Sequence, residues 1–368
     1  MIGTLPLNLP QLEDRIAPAL NAVETRLLEV VSSADETINP PTSHLAAAGG
    51  KRLRPVLTLL TAQLGDPELA TGELVRDAGV AVELTHIATL YHDDVMDEAP
   101  LRRGAPSAQT VWGNSAAILT GDVLVARASQ LVAALGPQAV LAHAKTFERL
   151  CMGQLHETLP RPAGTDPVAH YLDVLADKTG SLIAVSARYG AMLTRAGEAT
   201  EAIVEEFGEK IGVAFQLADD VIDIMSDSAT TGKTPGTDLR EGVDTMPVLL
   251  LRQALAAGEL DAAGQSILAT LSGGDLSEDA VLADVVSQLR AHPVLARTRQ
   301  MAASWAEEAV SVLDGLEDAV LEGTVARLDA AGVVGAEREA ALADARERVT
   351  LVRDGMVQFA HLLVDRAA

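Results

Sequence analysis

Apolar residues recur at helical spacing through most of the chain, and runs of β-branched residues alternating with period two are few. Long helices are therefore expected and no sheet is needed. Two stretches are long and mostly apolar. One runs from Leu74 to Ala99 and is stopped by Pro100; the other runs from about Glu201 to Asp227 and holds IGVAFQLADDVIDI. The breaks are short and marked by glycine and proline: AAGGKRLRP (47–55), PLRRGAP (100–106), LPRPAGTDP (159–167) and TTGKTPGTD (230–238). None has the length of an interdomain linker, so a single large all-α domain over residues 1–368 is expected. There is no fixed-period repeat, but one pattern of aspartates occurs twice.

The first cluster is Asp93, Asp94 and Asp97 in HDDVMD; the second is Asp219, Asp220 and Asp223 in ADDVID. On a helix, residues i and i+4 lie within about 40° of each other, so Asp93 stacks with Asp97 and Asp219 with Asp223. Like charges so placed repel and call for a cation, and hard oxygen donors at this density suit Mg²⁺, which bridges carboxylates to substrate phosphates. The competing reading is a solvated acidic face. Two identical clusters, each flanked by apolar residues, weigh against it. Cations accompany both clusters. GGKRLRP places Lys51, Arg52 and Arg54 behind a glycine pair near a helix start, Arg102 and Arg103 follow the first cluster, Lys178 and Thr179 sit in DKTGSL, and Lys233 follows the second cluster. Backbone N–H groups and guanidinium forks of this kind suit a diphosphate.

Composition changes this picture in one respect. The 368 residues are 48% hydrophobic, ample for a core, while 28 Lys and Arg face 52 Asp and Glu, a net charge of −24. That excess argues against nucleic acid and against docking on an anionic membrane through a basic patch. At first sight it also argues against a phosphorylated substrate. The local clusters overturn that inference, because a bound Mg²⁺ reverses the sign that its carboxylates present. No cation precedes Arg15, so a secretory or transit signal is not expected; nor is a membrane span, and the cytoplasm is the expected location. The single Cys151 cannot form an intrachain disulfide and is expected to be a small buried hydrophobe.

GGKRLRP, ELTHIATLYHDDVMDEAPLRRG, KTGSL, FQLADDVID and GKTPGTDLREG stand in the order found in trans-isoprenyl diphosphate synthases, and the chain resembles this polyprenyl synthetase family over roughly residues 40 to 250. Each Asp motif alone is moderately specific; the five blocks in order are highly so. The resemblance implies an all-α barrel of long helices around a central cavity, usually in a homodimer, with the two Asp motifs facing each other. It implies typically three Mg²⁺ ions, with Asp93, Asp97 and Asp219 as direct ligands and Asp94, Asp220 and Asp223 completing the clusters. Lys51, Arg54, His86 and Arg103 match positions that bind the diphosphate of isopentenyl diphosphate. Arg102, Lys178 and Lys233 match positions on the allylic diphosphate, and Thr179 and Gln216 match polar groups beside the reacting carbons. His86 also fits from its spacing: seven residues before Asp93, it lies about 20° away on the same helix face. The chemistry implied is ionisation of an allylic diphosphate, attack by the double bond of isopentenyl diphosphate and loss of a proton to the leaving diphosphate, repeated on the elongated product.

Product length in the family depends on the helix before the first motif. The fifth and fourth residues before it are Ala88 and Thr89 here, with Thr85 and Ala81 further along. All four are small, and Tyr91, about 160° from Asp93, should face away from the cavity. A long product of roughly C30–C50 is expected, with a C20 geranylgeranyl product as the alternative. Residues 255–368 match the family loosely. The segment 316–356 looks additional and reads as two helices around a Gly332–Gly335 turn, most simply a hairpin on the surface; a contact for a partner subunit, or for the membrane receiving the product, is the sharper expectation. A terpene cyclase would share the Asp motifs but lack a second diphosphate site such as GGKRLRP with LRRG. A non-catalytic subunit would have lost aspartates, whereas all six are present. A catalytic subunit that needs a partner stays open.

Overall fold

The computed structural model describes residues 9–226 and 235–365, and among them the chain is all-α except for one minimal hairpin. The helices are α1 (Pro10–Val31), α2 (Asn39–Ala47), α3 (Leu53–Ala62), α4 (Glu73–Met96), α5 (Ala108–Trp112), α6 (Asn114–Leu135), α7 (Pro137–Thr158) and α8 (Pro167–Leu175). After a π-helical turn (Ala176–Gly180) come α9 (Ser181–Leu193), α10 (Glu198–Met225), α11 (Thr237–Arg240), α12 (Met246–Ala257), α13 (Ala262–Gly273), α14 (Asp279–Ala291) and α15 (Pro293–Val312). A 3₁₀ turn (Leu313–Gly315) leads into α16 (Leu316–Ala330) and α17 (Gly335–Val364).

Local chemistry sets many of these ends. Pro10 and Pro167 open α1 and α8, where a missing N–H costs nothing. Asp166 and Asp261 cap α8 and α13 by accepting from the N–H groups of Val168 and Gly264. The hairpin that interrupts the all-helical expectation pairs β1 (Leu101–Arg102) with β2 (Ala105–Pro106) around Arg103 and Gly104, both with positive φ, 54° and 77°. That is the two-residue turn in which both central residues must be left-handed.

The described residues group into two compact units: residues 9–148, 182–208 and 312–359 form one, and residues 149–181, 209–226, 235–311 and 360–365 the other. In the first, α4 packs on α6, α3 and α1, and its buried positions Val80, Ala81, Leu84, Ile87, Ala88 and Tyr91 leave little polar surface. Tyr91 donates its hydroxyl to Pro41 O and accepts from the Leu45 N–H. It is thus tied to α2, consistent with its facing away from the Asp93 side. In the second unit, Leu217 and Val221 of α10 share a core with Leu250 of α12 and with Val285 and Leu289 of α14.

Two expectations need correction. The hairpin of α16 and α17 turns at Gly332 and Gly335 as anticipated, with φ of 69° and 67°, but it is not a surface appendage. Ala345, Val349, Val352 and Met356 are buried, and the buried Arg348 donates to Gln63 O at 2.7 Å and Gly65 O at 2.9 Å. Mixed charges at helical spacing masked this face because one of those charges is buried to satisfy backbone carbonyls. Cys151 is exposed on α7 rather than buried. The expectation of no membrane span is not overturned: α6 alone among the described helices is long and apolar enough to cross a membrane, by length and composition only, with an 18-residue window of mean hydropathy 1.5. Asp122 and Arg127 within it interrupt the apolar run that sequence inspection looks for. A third of that window is buried, and Ile118, Leu119 and Val123 lie exposed on it.

Candidate functional site

At the C-terminal end of α4 the three aspartates separate by helix phase. Asp94 is fully buried, whereas Asp93 and Asp97 keep solvent exposure. Arg102 donates from Nε to Asp94 Oδ1 at 2.5 Å, while Asp94 Oδ2 is buried without a hydrogen-bond partner. Burial pushes the Asp94 carboxyl up, against the pull of Arg102.

The second cluster repeats this division. Asp219 and Asp223 are partly exposed and Asp220 is buried. The Tyr171 hydroxyl lies 3.0 Å from both oxygens of Asp220, and the Met246 N–H donates to Oδ2 at 3.1 Å. Burial drives the Asp220 carboxyl well above the usual range, opposed by the Met246 N–H. Asp223 Oδ1 accepts from the Thr237 N–H at 3.2 Å, at the start of α11. In both copies the middle aspartate is thus engaged inside the protein, while Asp93, Asp97 and Asp219 keep solvent exposure; Asp223 is only partly exposed, with Oδ2 buried. Among the described residues no three histidine, cysteine or acidic side chains converge as a preformed metal cluster.

Lys178 and Thr179 lie on the π-helical turn, a geometry often found at functional positions. Gly153 of α7 allows the turn its place, since a Cβ there would stand 2.7 Å from the Lys178 backbone nitrogen. Lys178 pairs with Glu157, and Thr179 is buried. Arg149 braces the turn by bridging Asp177 at 2.6 Å and Glu209 at 2.7 Å. Gln216 is half-buried on α10. Lys233 lies outside the described residues.

The cations of the first unit converge. His86 sits among Arg54, Arg103, Arg102 and Arg52; burial first, and then these positive charges, hold it well below the ordinary histidine range, so it is neutral near pH 7. Arg54 is pushed down to about 10, by burial and by Arg103, and its Nε is buried without a hydrogen-bond partner. Lys51 is exposed beside it. Sequence reasoning passed over Arg52 as a site residue and missed Glu24, Glu83 and Tyr171. The signal for Glu83 was present: a single charge inside the apolar run GVAVELTHIATL. The small residues ahead of the first motif also find their places: Ala81, Thr85 and Ala88 are buried, and Thr89 is partly exposed and donates to His86 O.

The family model described as Polyprenyl synthetase matches residues 35–286. A nonaprenyl diphosphate synthase of Mycobacterium tuberculosis (strain ATCC 25618 / H37Rv) is 46% identical over 288 residues, covering 78% of this chain and 83% of that one. A dimethylallyltranstransferase of the same organism is 38% identical over 310 residues, covering 84% and 91%. Among solved structures, geranylgeranyl pyrophosphate synthase from Corynebacterium glutamicum, complexed with calcium and isoprenyl diphosphate, superposes with a TM-score of 0.76 at 34% identity, covering 99% of this chain and 100% of that one. An all-α scaffold with paired aspartate motifs and an arginine-lined loop is here that of a prenyltransferase. The chain belongs to the polyprenyl synthetase family, and its relatives include long-chain polyprenyl diphosphate synthases.

Proposed function

We propose that the protein condenses isopentenyl diphosphate head-to-tail with an allylic diphosphate and repeats the step, in the cytoplasm, to an all-trans polyprenyl diphosphate of roughly C30–C50. The observation that supports this reading is the repeated D-D-x-x-D segment, whose middle aspartate is buried and partnered in both copies while Asp93, Asp97 and Asp219 keep solvent exposure. Such hard oxygen donors, with the unsatisfied Asp94 Oδ2 behind them, suit Mg²⁺. Asp93, Asp97 and Asp219 would be its direct ligands and Asp94, Asp220 and Asp223 their neighbours, with about three ions per active site. Bound Mg²⁺ would stabilise negative charge on the departing diphosphate.

The chain's own residues then have distinct tasks. Lys51, Arg54, neutral His86 and Arg103 hold the diphosphate of isopentenyl diphosphate. Arg102, Lys178 and Lys233 hold the allylic diphosphate, and Thr179 and Gln216 lie beside the reacting carbons. The allylic C–O bond breaks with its electron pair going to the diphosphate; the double bond of isopentenyl diphosphate forms the new C–C bond; and a proton passes to the released diphosphate. No protein nucleophile is required. The test is incubation with Mg²⁺, isopentenyl diphosphate and allylic primers of increasing length, reading products by mass. C30–C50 products are expected, and no elongation from any primer sinks the reading.

A C20 product is the second reading, favoured by the likeness to the Corynebacterium glutamicum enzyme. Small side chains at Ala81, Thr85 and Ala88 and the likeness to a nonaprenyl synthase support the longer one. The homodimer belongs to the same proposal. Leu119 is 63% exposed, with Ile118 and Val123 on the same helix, α6, apolar side chains that a second copy would cover. Light scattering is expected to give twice the chain mass; a monomer at assay concentration removes this part.

A further inference from the structure

Glu83 stands on α4 three residues before His86, and its side chain is 2% exposed. One of its oxygens, Oε1, serves two arginines: Arg52 Nη1 donates to it at 2.8 Å and Arg103 Nη2 lies 3.5 Å away. The two arginines come from different segments, the loop before α3 and the β1–β2 turn. Arg52 is saturated: Glu24 of α1 accepts from its Nε at 2.7 Å and its Nη2 at 3.0 Å, and Ala46 O and Gly49 O take further donors. Arg103 Nη1 donates to Leu45 O at 2.9 Å and to Gly49 O. Arg54, two residues beyond Arg52, retains a buried donor with no hydrogen-bond partner.

Backbone conformation adds an independent observation. Arg52 and Arg103 both have positive φ, 51° and 54°. For a residue other than glycine this conformation is disfavoured, and it persists where the surroundings over-determine it. Two like-charged guanidinium groups packed together also repel. A buried carboxylate shared between them answers both costs, and Glu83 is the group so placed.

We infer that Glu83 is a positioning residue for isopentenyl diphosphate: by holding Arg52 and Arg103 together it fixes the loop that presents Lys51 and Arg54, and it aims Arg103, without touching substrate itself. This rests on the functional reading above. Arg52 becomes the structural arginine of the GGKRLRP segment and Arg54 the one left open to an anion.

Glu83→Gln keeps size and one acceptor oxygen and removes only the charge. The expected result is a rise of about tenfold or more in KM for isopentenyl diphosphate, with the allylic KM and kcat each within about threefold of the parent. Equal rises in both KM values, or a loss in kcat alone, overturn the inference. Arg52→Met with Glu83→Gln keeps the buried charge balanced and serves if the single variant does not fold. Arg103 still lacks its partner there, so KM for isopentenyl diphosphate should stay high; a return to the parent value overturns the inference. Calorimetric titration with inorganic diphosphate, without metal, reads the same loop without turnover. Weaker binding by Glu83→Gln is expected, and unchanged binding overturns the inference even if the parent elongates nothing, which would separately sink the functional reading.

Discussion

Replacing Asp93 with alanine is expected to lower kcat by about a thousandfold, while the dissociation constant for isopentenyl diphosphate changes by less than about threefold. The asymmetry follows from where the charges lie. Asp93 is an accessible outer carboxylate of the first cluster, on the same helix face as Asp97. The groups assigned to isopentenyl diphosphate are cations: Lys51, Arg54 and Arg103, with neutral His86 among them. Under the proposed function, losing Asp93 would remove a metal ligand needed when the allylic C–O bond ionises, and would leave those cations in place. Asp93 keeps solvent exposure whereas Asp94 is fully buried, so the melting temperature should stay within a few degrees. Steady-state rates, a binding titration and a melting curve on one preparation check all three statements. Equal losses in turnover and in isopentenyl diphosphate affinity would count against a role in ionisation.

Much of this site was legible in the sequence because its signals are local. The i, i+4 phase of Asp93 with Asp97 and of Asp219 with Asp223 depends only on helix geometry, and Asp93, Asp97 and Asp219 keep solvent exposure, whereas Asp223 Oδ2 is buried. The middle aspartates required tertiary knowledge. Arg102 reaches Asp94 through a hairpin turn, and Asp220 is held by Tyr171 and the Met246 N–H, 49 and 26 residues away in sequence. The same holds for the arginines. GGKRLRP shows three cations in a row of seven residues, but only the placement of Glu24 and Glu83 tells that Arg52 is consumed by the fold while Arg54 is not. The C-terminal hairpin misled for a related reason. Arg348 reads as a solvated charge until the carbonyls of Gln63 and Gly65 are seen around it. Long-range pairing of charges is what a single sequence conceals, and it is also what sorts binding groups from supporting ones.

Product length is where packing decides. Ala88→Phe is expected to shorten the product by one or more five-carbon units, and the structure makes the experiment more discriminating than the sequence alone allowed. His92 of α4 rests against Gly121 of α6, where a Cβ would come within 2.3 Å of its ring nitrogen. Ala88 and Thr85 lie one and two turns earlier on the same stripe of α4, so these small side chains look towards α6. Ala88 has no exposed surface, which fits either a wall of the product tunnel or ordinary helix packing. The two differ in free space. Against a tunnel the phenyl ring enters room that a growing chain would otherwise use, and stability is nearly unchanged. Against close-packed α6 it overpacks the core at about 1–3 kcal/mol, a fall of about 1–4 °C in melting temperature for a chain of this size. A shortened product with an unchanged melting temperature therefore assigns Ala88 to the tunnel wall. An unchanged product with a lowered melting temperature assigns it to the α4–α6 contact, and the limit on chain growth must then lie with other residues.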